Sequence, residues 1–348
     1  MHEKKIIVAP LNWGLGHASR CVSIIEFLQK NHYTPILASD GEALVFLQKE
    51  FPDLESLELP SYEIAYAKNL KVGLLIQAPK VLRAILKEQK VIQKYIAQNT
   101  GVVGVISDNR FGVRSTAVPS VYITHQLRVL SGFTTSISSK IHQLFINKFD
   151  ECWVPDTKFS EFSGMLSQSK SMKVPLKYIG VLSRFRKENK PKINDVLVVL
   201  SGIESQRVLL EQNILLALSN FKGNAVLVQG KIEKEQTVKT KNGIKIYNYL
   251  LSRDLEKEIN QSKLIICRSG YSSIMDLAVL HKRVFFIPTP NQPEQEYLAM
   301  HLKEGYLAPF CNENKFSLEQ LAQVKNYKGL CTDGCSLDPN LLCLFECK

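Results

Sequence analysis

The chain has 348 residues, of which 45% are hydrophobic and 22% charged, and its formal net charge is +11. This length suits two α/β domains that each bury a core of their own, and the composition argues against a disordered or fibrous protein. No apolar run reaches the ~18 to 20 residues of a transmembrane helix, and the N-terminus has no signal-peptide pattern, so a cytoplasmic protein is predicted.

The first predicted elements are a strand over residues 5–10, a glycine loop over 11–20 and a helix over 21–30. Strand, glycine loop and helix form the opening unit of a doubly wound parallel sheet. The loop matches neither the P-loop nor the complete G-x-G-x-x-G pattern, so it is a weak nucleotide motif. It places Gly16 and His17 at the carboxyl end of the first strand, where such sheets bind ligands. A His17 that merely caps the helix is the alternative.

The remainder of the first half continues the alternation of strands and helices. The apolar pattern predicts strands near 34–39, 56–59, 102–107, 119–124 and 151–154, helices over 41–49 and 140–148, and a mobile Ser-rich run at 131–139. Asp108 and Asn109 follow one of these strands, and His125 follows the next. Because the carboxyl ends of parallel strands share one edge of a sheet, these side chains are expected near His17.

Residues 68–94 predict a basic amphipathic helix in which Glu88 is the only acid. Its cations are interleaved with Leu, Ile and Val, and they are Lys68, Lys71, Lys80, Arg83, Lys87, Lys90 and Lys94. This pattern fits the surface of an anionic bilayer, although an ordinary solvated helix face would show the same spacing. Nucleic acid is not a predicted partner, because no recognisable binding module accompanies the charge.

The stretch over 184–194 is charged, contains Pro191 and has no apolar period. It predicts a linker between an N-terminal domain over 1–183 and a second domain over 195–330. The second domain again opens with a strand, a glycine loop and a helix, and Gly202 lies in that loop. The two halves are therefore expected to resemble each other as folds.

The last segment, 331–348, is rich in cysteine. Its thiols are Cys331, Cys335, Cys343 and Cys347. Their C-x3-C spacing differs from the C-x2-C pairs of zinc ribbons, and no His lies among them. A thiol-rich tail without a catalytic role is predicted in preference to a metal site.

Residues 262–305 carry the pattern on which the functional prediction depends. A strand at 264–267 leads through the turn Arg268-Ser269-Gly270 into a helix over 272–280. A helix N-terminus reached through a glycine turn offers unpaired N–H groups and the positive end of the helix dipole, which suit a phosphate. Polar acceptors for sugar hydroxyls follow at Asp276, Glu294, Gln295 and Glu296. The stretch therefore predicts a nucleotide site.

A family resemblance joins these residues. Tyr249-Leu250, Arg268-Ser269-Gly270, Asp276 and the run from Pro288 to Tyr297 follow the order and spacing of a GT-B glycosyltransferase. The chain is most similar to glycosyltransferase family 28, the group that forms lipid II from UDP-N-acetylglucosamine. The resemblance is strongest over 246–310 and faint across the acceptor half. It implies an α/β, GT-B architecture, in which two Rossmann-like doubly wound parallel-sheet domains face each other across a cleft.

The resemblance also implies roles for individual residues on the donor side. Leu250 would bind uracil through its backbone with Tyr249 packed beside it, and Asp276 would accept from the ribose hydroxyls. The diphosphate would lie near Gly16, Gly202, Arg268, Ser269 and Gly270, and the donor sugar near Gln295 and Glu296. The family usually has Glu where Asp276 stands, commonly has Gln where Glu296 stands, and usually has Gly where Ser201 stands.

The implied reaction is an inverting transfer of a hexose or N-acetylhexosamine from a UDP-sugar. His17 is expected to be the base or to orient it, with Asp108 as the alternative base and Asn109 and His125 on the acceptor side. No D-x-D metal motif is present, so no catalytic metal and no cofactor are expected. The predicted acceptor is a glycan or glycolipid, reached by peripheral binding at the inner membrane face.

Two other functions fit the same sequence features. A GT-B nucleotide-sugar epimerase or hydrolase would use the same donor site with an added acid and base. A noncatalytic nucleotide-sugar or membrane-binding subunit would recruit a partner enzyme instead.

Overall fold

The computed structural model describes residues 3–62, 70–159, 161–169, 171–332 and 337–346, with the side chains of 70–78 left out. Two mostly parallel sheets, each with helices between its strands, make up the molecule. Parallel sheets covered by helices on both faces bury their strands completely. Accordingly, Ile6, Ile7, Val8 and Ala9 of the first strand are fully buried.

The first sheet has seven parallel strands in the order β3-β2-β1-β4-β5-β6-β7. Its strands are β1 Lys5–Pro10, β2 Thr34–Ser39, β3 Ser56–Glu58, β4 Val102–Asp108, β5 Ser120–Ile123, β6 Glu151–Val154 and β7 Leu176–Tyr178. The helices between them are α1 Gly16–Lys30, α2 Gly41–Glu50, α3 Leu70–Gln98 and α4 Thr135–Ile146. The chain order reverses at β1 and β4, which is the switch point where such sheets form a ligand crevice.

The second sheet has six strands in the order β10-β11-β9-β8-β12-β13. Its strands are β8 Asn194–Val199, β9 Ala225–Val228, β10 Val238–Lys241, β11 Ile244–Tyr247, β12 Ser262–Cys267 and β13 Val284–Phe286. The helices are α5 Glu204–Ala217, α6 Ser252–Asn260, α7 Tyr271–Val279 and α8 Pro293–Glu304. All neighbours pair in parallel except β10 and β11, which are antiparallel. The predicted pair of doubly wound α/β domains is confirmed.

Strand β10 is not among the elements predicted from the sequence. Asn242 and Gly243 both have positive φ, at 51° and 77°. An Asn-Gly pair in this conformation forms the tight turn that two-residue β-hairpins prefer. The dipeptide was the available signal, but β10 is exposed along its length and so shows no apolar alternation.

Two helices begin earlier than predicted. Helix α1 begins at Gly16, so Gly16 and His17 belong to its first turn instead of to the loop. Helix α4 begins at Thr135, so most of the run predicted to be mobile is helical. The first turns of both helices, GHAS and TSIS, carry few large apolar side chains, so an apolar period does not reveal either N-terminus.

The C-terminal segment returns to the first domain. Its last turn, Pro339–Phe345, places Phe345 against Trp153 of β6, with ring centroids 6.4 Å apart. The ring of Phe345 occupies the space beside Gly104 that any larger residue would need. Cys331 and Cys343 are exposed and free, whereas Cys335 and Cys347 lie outside the described residues.

Within the described ranges, none of the helices combines the length and the apolar content that a membrane span requires.

Candidate functional site

The predicted catalytic pair lies at the carboxyl ends of β1 and β4. His17 is in the first turn of α1, and its Nδ1 lies 2.8 Å from Oδ1 of Asp108, the last residue of β4. Asp108 is fully buried, whereas the His17 side chain is 18% exposed. An ionised carboxylate can only accept, so Asp108 favours the tautomer of His17 that carries the hydrogen on Nδ1, although Nη2 of Arg20 also approaches this nitrogen, at 3.0 Å. The pair therefore has the geometry of a histidine base oriented by a carboxylate.

Arg20 controls the charge of Asp108. Its Nε lies 2.5 Å from Oδ2 of Asp108, and its Nη2 also pairs with Oδ1. Burial alone would raise the pKa of Asp108, but Arg20 and His17 together hold that pKa well below its usual range. A carboxyl group that stays ionised is a weak base. Its placement therefore favours His17 as the base and Asp108 as the residue that orients it.

Arg20 was not among the predicted site residues. It lies three positions after His17, on the same face of α1. That spacing would have been the signal, but it was hidden because residues 11–20 were interpreted as a loop.

The predicted acceptor-side residues lie at the same rim. Asn109 has a positive φ of 60°, and its Oδ1 accepts a hydrogen bond of 3.0 Å from the hydroxyl of Tyr122. His125 is buried, and its Nε2 lies 2.8 Å from Oε1 of Glu294 at the start of α8. The Asn109 side chain therefore bonds within the first domain, whereas the His125 side chain bonds to the second domain.

The turn before α7 faces the first domain across the cleft. Ser272 Oγ donates a hydrogen bond of 2.7 Å to the carbonyl oxygen of Gly16. Ser269 Oγ donates to the carbonyl oxygen of Gln295 over 2.8 Å, which ties the turn to α8. A Cβ added at Gly202 or Gly270 would meet no described atom within 4 Å. The two predicted phosphate turns therefore border open space beside the N-terminus of α7.

The predicted role of Arg268 beside the diphosphate stays a prediction, and the structure places its side chain inside the second domain. Its side chain is fully buried, and Nη1 donates to the carbonyl oxygens of Ile287 and Pro288, each over 3.1 Å. Nη2 lies 2.7 Å from Oε2 of Glu313. The guanidinium therefore holds the loop after β13 against the end of β12.

Asp276 lies on α7 and is tied to the segment that precedes the second sheet. Ser183 Oγ donates to Asp276 Oδ1 over 2.6 Å. Burial raises the pKa of Asp276 to about 6, although Arg184 and Ser183 oppose the rise. The carboxyl group therefore titrates at a higher pH than that of an ordinary aspartate.

Arg184 was assigned to the linker, but its side chain lies in the crevice between the domains. Its guanidinium packs over the rings of Phe46 and Phe185, with centroid distances of 5.2 and 4.8 Å. Nη1 is 3.9 Å from Oε1 of Glu50. Nε and Nη1 are buried and lack a hydrogen-bond partner within the described part of the chain. A buried cation with free donors beside Asp276 adds a group suited to an anionic ligand.

The remaining donor-side residues are also placed around this cleft. Tyr249 and Leu250 are buried just after the end of β11. Gln295 Oε1 accepts from the backbone N–H of Thr289 over 2.9 Å, which leaves its amide NH2 as a donor. Glu296 is exposed, and its Oε1 accepts from the N–H of Asn291 over 3.1 Å. Both side chains therefore shape the loop before α8.

Among the residues that the structure describes, no three or more His, Cys, Asp or Glu side chains lie close enough together to hold a metal ion.

Relatives in sequence align with most of the chain. The model of the glycosyltransferase family 28 C-terminal domain matches residues 196–326. The chain is 21% identical over 331 residues to the UDP-N-acetylglucosamine--N-acetylmuramyl-(pentapeptide) pyrophosphoryl-undecaprenol N-acetylglucosamine transferase of Histophilus somni, which covers 92% of this chain and 88% of that protein. It is 22% identical to the protein of the same name from Buchnera aphidicola, with 94% and 90% covered.

Solved structures resemble the whole chain in fold. The glycotransferase of kitacinnamycin aligns with a TM-score of 0.62 at 11% identity, covering 99% of this chain and 94% of that one. MurG of Acinetobacter baumannii aligns with a TM-score of 0.53 at 16% identity, covering 93% and 90%. The chain therefore has the GT-B glycosyltransferase fold, and its second domain is similar to the glycosyltransferase family 28 C-terminal domain.

Proposed function

We propose that the chain is a UDP-sugar-dependent glycosyltransferase that uses a lipid-linked acceptor, with UDP-N-acetylglucosamine as the first donor to test. The observation that carries the proposal is the contact of Ser272 Oγ with the carbonyl oxygen of Gly16, 2.7 Å across the cleft. It brings the His17–Asp108 pair next to the N-terminus of α7. A base and an anion-binding helix end thus face one space, as transfer from a nucleotide sugar requires.

In the proposed reaction His17 removes the proton of the acceptor hydroxyl through Nε2. The hydroxyl oxygen then forms a bond to the anomeric carbon, while the bond from that carbon to the diphosphate oxygen breaks and UDP leaves with its electron pair. Attack from the side opposite UDP inverts the anomeric configuration. The N–H groups and dipole at the start of α7 stabilise the negative charge that develops on the leaving diphosphate.

The comparisons support the choice of donor and acceptor. The relatives are named as transferases of N-acetylglucosamine from its UDP derivative to a pyrophosphoryl-undecaprenol compound. Our chain aligns with most of their length, so both the donor half and the acceptor half are present. A polyprenyl diphosphate acceptor would remain in a membrane, which requires the enzyme to bind a bilayer surface.

A basic and apolar surface on α3 and α4 suits such binding. On α3, Leu82 and Leu86 are 50% and 59% exposed, and on α4, Ile137, Ile141 and Leu144 are 51% to 63% exposed. The two helices share one apolar cluster, to which Ala84 and Ile85 of α3 belong and against which Phe145 of α4 packs. The exposed cations of the described part of these helices are Lys80, Arg83, Lys87, Lys90, Lys94 and Lys140. Exposed Leu and Ile beside Lys and Arg fit an anionic bilayer, so we place the enzyme at the inner membrane face.

The orientation of α3 explains why its cations face outwards. Glu88 is fully buried, and its Oε1 lies 2.5 Å from Nε of Arg110. The hydroxyl of Tyr62 donates to Glu88 Oε2 over 2.7 Å. The one acid of the predicted basic helix therefore anchors α3 to the loop after β4. Lys68 and Lys71 of that prediction lie outside the described side chains.

The test combines donor and acceptor in one assay. Purified protein is given UDP-N-acetylglucosamine, UDP-glucose or UDP-galactose, with and without a short-chain polyprenyl diphosphate glycolipid, and UDP release is measured. We expect UDP only when both substrates are present. UDP and free sugar without an acceptor would instead favour hydrolysis or epimerisation. No UDP release, together with no thermal stabilisation by UDP, would contradict the proposal.

A further inference from the structure

One partly buried polar contact joins the two domains directly at the predicted active site. His125, at the end of β5, places Nε2 at 2.8 Å from Oε1 of Glu294, in the first turn of α8. Glu294 precedes Gln295 and Glu296, for which a contact with the donor sugar is predicted. The pair therefore connects the acceptor rim with the loop expected to hold the sugar.

We infer that Glu294 is a positioning residue, which acts through His125 and Arg20 to hold the domains in the arrangement where His17 faces the donor. The inference rests on the proposed function for its effect on turnover. The inference also states that the His125–Glu294 hydrogen bond keeps the cleft between the domains closed. Closure of the cleft can be measured even if the protein turns over no substrate.

The hydrogen-bond donors fix the state of His125. Nη1 of Arg20 lies 3.2 Å from Nδ1 of His125. A guanidinium can only donate, so Nδ1 of His125 is the acceptor and Nε2 carries the hydrogen. Burial lowers the pKa of His125, which agrees with a neutral ring. His125 therefore donates its Nε2–H to Glu294 as a neutral imidazole.

The ring of His125 is also packed between elements of both domains. It stacks on Tyr271, the first residue of α7, with centroids 4.2 Å apart and planes 12° apart. The hydroxyl of Tyr271 donates to the carbonyl oxygen of Pro155 in the first domain over 2.9 Å. A stacked ring and a directed hydrogen bond together define one relative position of the two domains.

Arg20 transmits this position to the base. The same guanidinium contacts Asp108, His17 and His125. If Glu294 were lost, the Nε2–H of the buried His125 would lose its acceptor, and the ring that Arg20 contacts would be free to turn. Small displacements at such a site carry large kinetic costs, of the order of a hundredfold for about 1 Å.

The experiment compares Glu294→Ala, Glu294→Gln and His125→Ala with Glu304→Gln, a control at the exposed end of the same helix. We expect Glu294→Ala to lower kcat by about tenfold or more, while UDP affinity from thermal shift stays within about twofold, since UDP binding uses the second domain. Glu294→Gln should restore most of kcat, because the amide oxygen accepts the same Nε2–H.

Coupling and closure are measured separately. The double variant with His125→Ala and Glu294→Ala should lose no more than either single variant, because both changes break one contact. Small-angle scattering should show a larger radius of gyration for Glu294→Ala than for the wild type, with melting temperature as the check that the variant folds.

Three outcomes decide the inference. Wild-type kcat in Glu294→Ala would overturn it, and so would losses that multiply in the double variant. If the wild-type protein bound no UDP and turned over no substrate, the proposed function would fail. Small-angle scattering alone would then test whether the His125–Glu294 pair holds the cleft closed. An unchanged radius of gyration in Glu294→Ala would overturn that claim as well.

Discussion

The hydroxyl of Ser183 donates a hydrogen bond of 2.6 Å to Oδ1 of Asp276, which links the end of the first domain to helix α7 of the second. Burial raises the pKa of Asp276 to about 6, compared with about 3.9 for an unperturbed Asp. The folded protein therefore holds this proton more tightly than the unfolded chain. The contribution of Asp276 to stability accordingly falls as the pH rises from about 4 through about 6.

We predict that UDP binds more tightly as the pH rises through the pKa of Asp276. An ionised carboxylate accepts from both ribose hydroxyls, whereas a protonated one has lost part of this capacity. Below the pKa the affinity should fall by up to about tenfold per pH unit. Calorimetric titration of UDP over this range measures the slope. Asp276→Asn should bind UDP weakly and without this slope, and a slope retained in that variant would assign the titration to another group.

Replacing His17 should abolish most turnover without preventing donor binding. His17→Ala removes the group that accepts the acceptor proton, and general-base catalysis contributes about 10²- to 10⁴-fold. Steady-state kinetics, together with UDP affinity, measure the effect. His32→Asn is the control, because His32 is exposed at the far end of α1. Turnover within about threefold of the wild type in His17→Ala would remove His17 from the mechanism.

Replacing Asp108 should affect stability as well as rate. Asp108→Asn leaves the buried charge of Arg20 without its partner, and breaking a buried pair costs about 3–5 kcal/mol. The melting temperature should therefore fall in Asp108→Asn but change little in His17→Ala. Chemical denaturation of both variants measures the difference. Equal stability of the two variants would contradict the buried pair.

Arg268→Met should destabilise the protein and leave UDP affinity nearly unchanged in the folded fraction. Arg268 holds the carbonyl oxygens of Ile287 and Pro288 and faces Glu313, and the loss of one buried partner costs about 3–5 kcal/mol. Arg283→Met, at an exposed position, is the matched control. A selective loss of UDP affinity with wild-type stability would instead support the diphosphate role that the sequence predicts for Arg268.

Charge reversal on α3 should weaken binding to anionic vesicles. Each cation near such a surface contributes about 1 kcal/mol, so Lys87→Glu with Lys90→Glu should lower vesicle affinity by about thirtyfold or more. Lys239→Glu with Lys241→Glu makes the same charge change on the exposed strand β10 of the second domain. Sedimentation with anionic and neutral liposomes measures both. Equal losses in the two double variants would indicate a nonspecific charge effect.

Removal of divalent metal should leave turnover unchanged. The leaving diphosphate is expected to be stabilised by the N-terminus of α7 and by backbone N–H groups, which need no metal ion. UDP release measured with EDTA and then with added Mg²⁺ tests this expectation. A chelator-induced loss that Mg²⁺ restores would show that a metal ion takes part.

Strand β12, its turn and helix α7 could be predicted from local residues alone. The apolar run, the Ser269-Gly270 turn and the helical spacing lie within a few positions of each other. Such elements follow from periodicity and from the backbone freedom of glycine. The same holds for the convergence of His17 and Asp108, because carboxyl ends of neighbouring parallel strands meet at one edge.

The roles of Arg268 and Arg184 could not be predicted in this way. Arg268 lies in the turn by sequence, but Glu313 and the carbonyl oxygens after β13 draw its side chain into the core. The sequence around Arg184 predicts a linker, yet the guanidinium of Arg184 packs on the ring of Phe46 in the first domain. A side chain as long as Arg reaches several ångströms, so its direction depends on partners that are far away in the chain.

By itself the sequence determined the two α/β domains, the glycine turns and the candidate base with its carboxylate, because these depend on local periodicity and on strand ends. Only the tertiary structure decided that Arg20 joins Asp108 to His125 and that His125 meets Glu294 across the cleft. Glu294 is 169 positions from His125, and a contact at that separation forms only when two independently built sheets pack against each other.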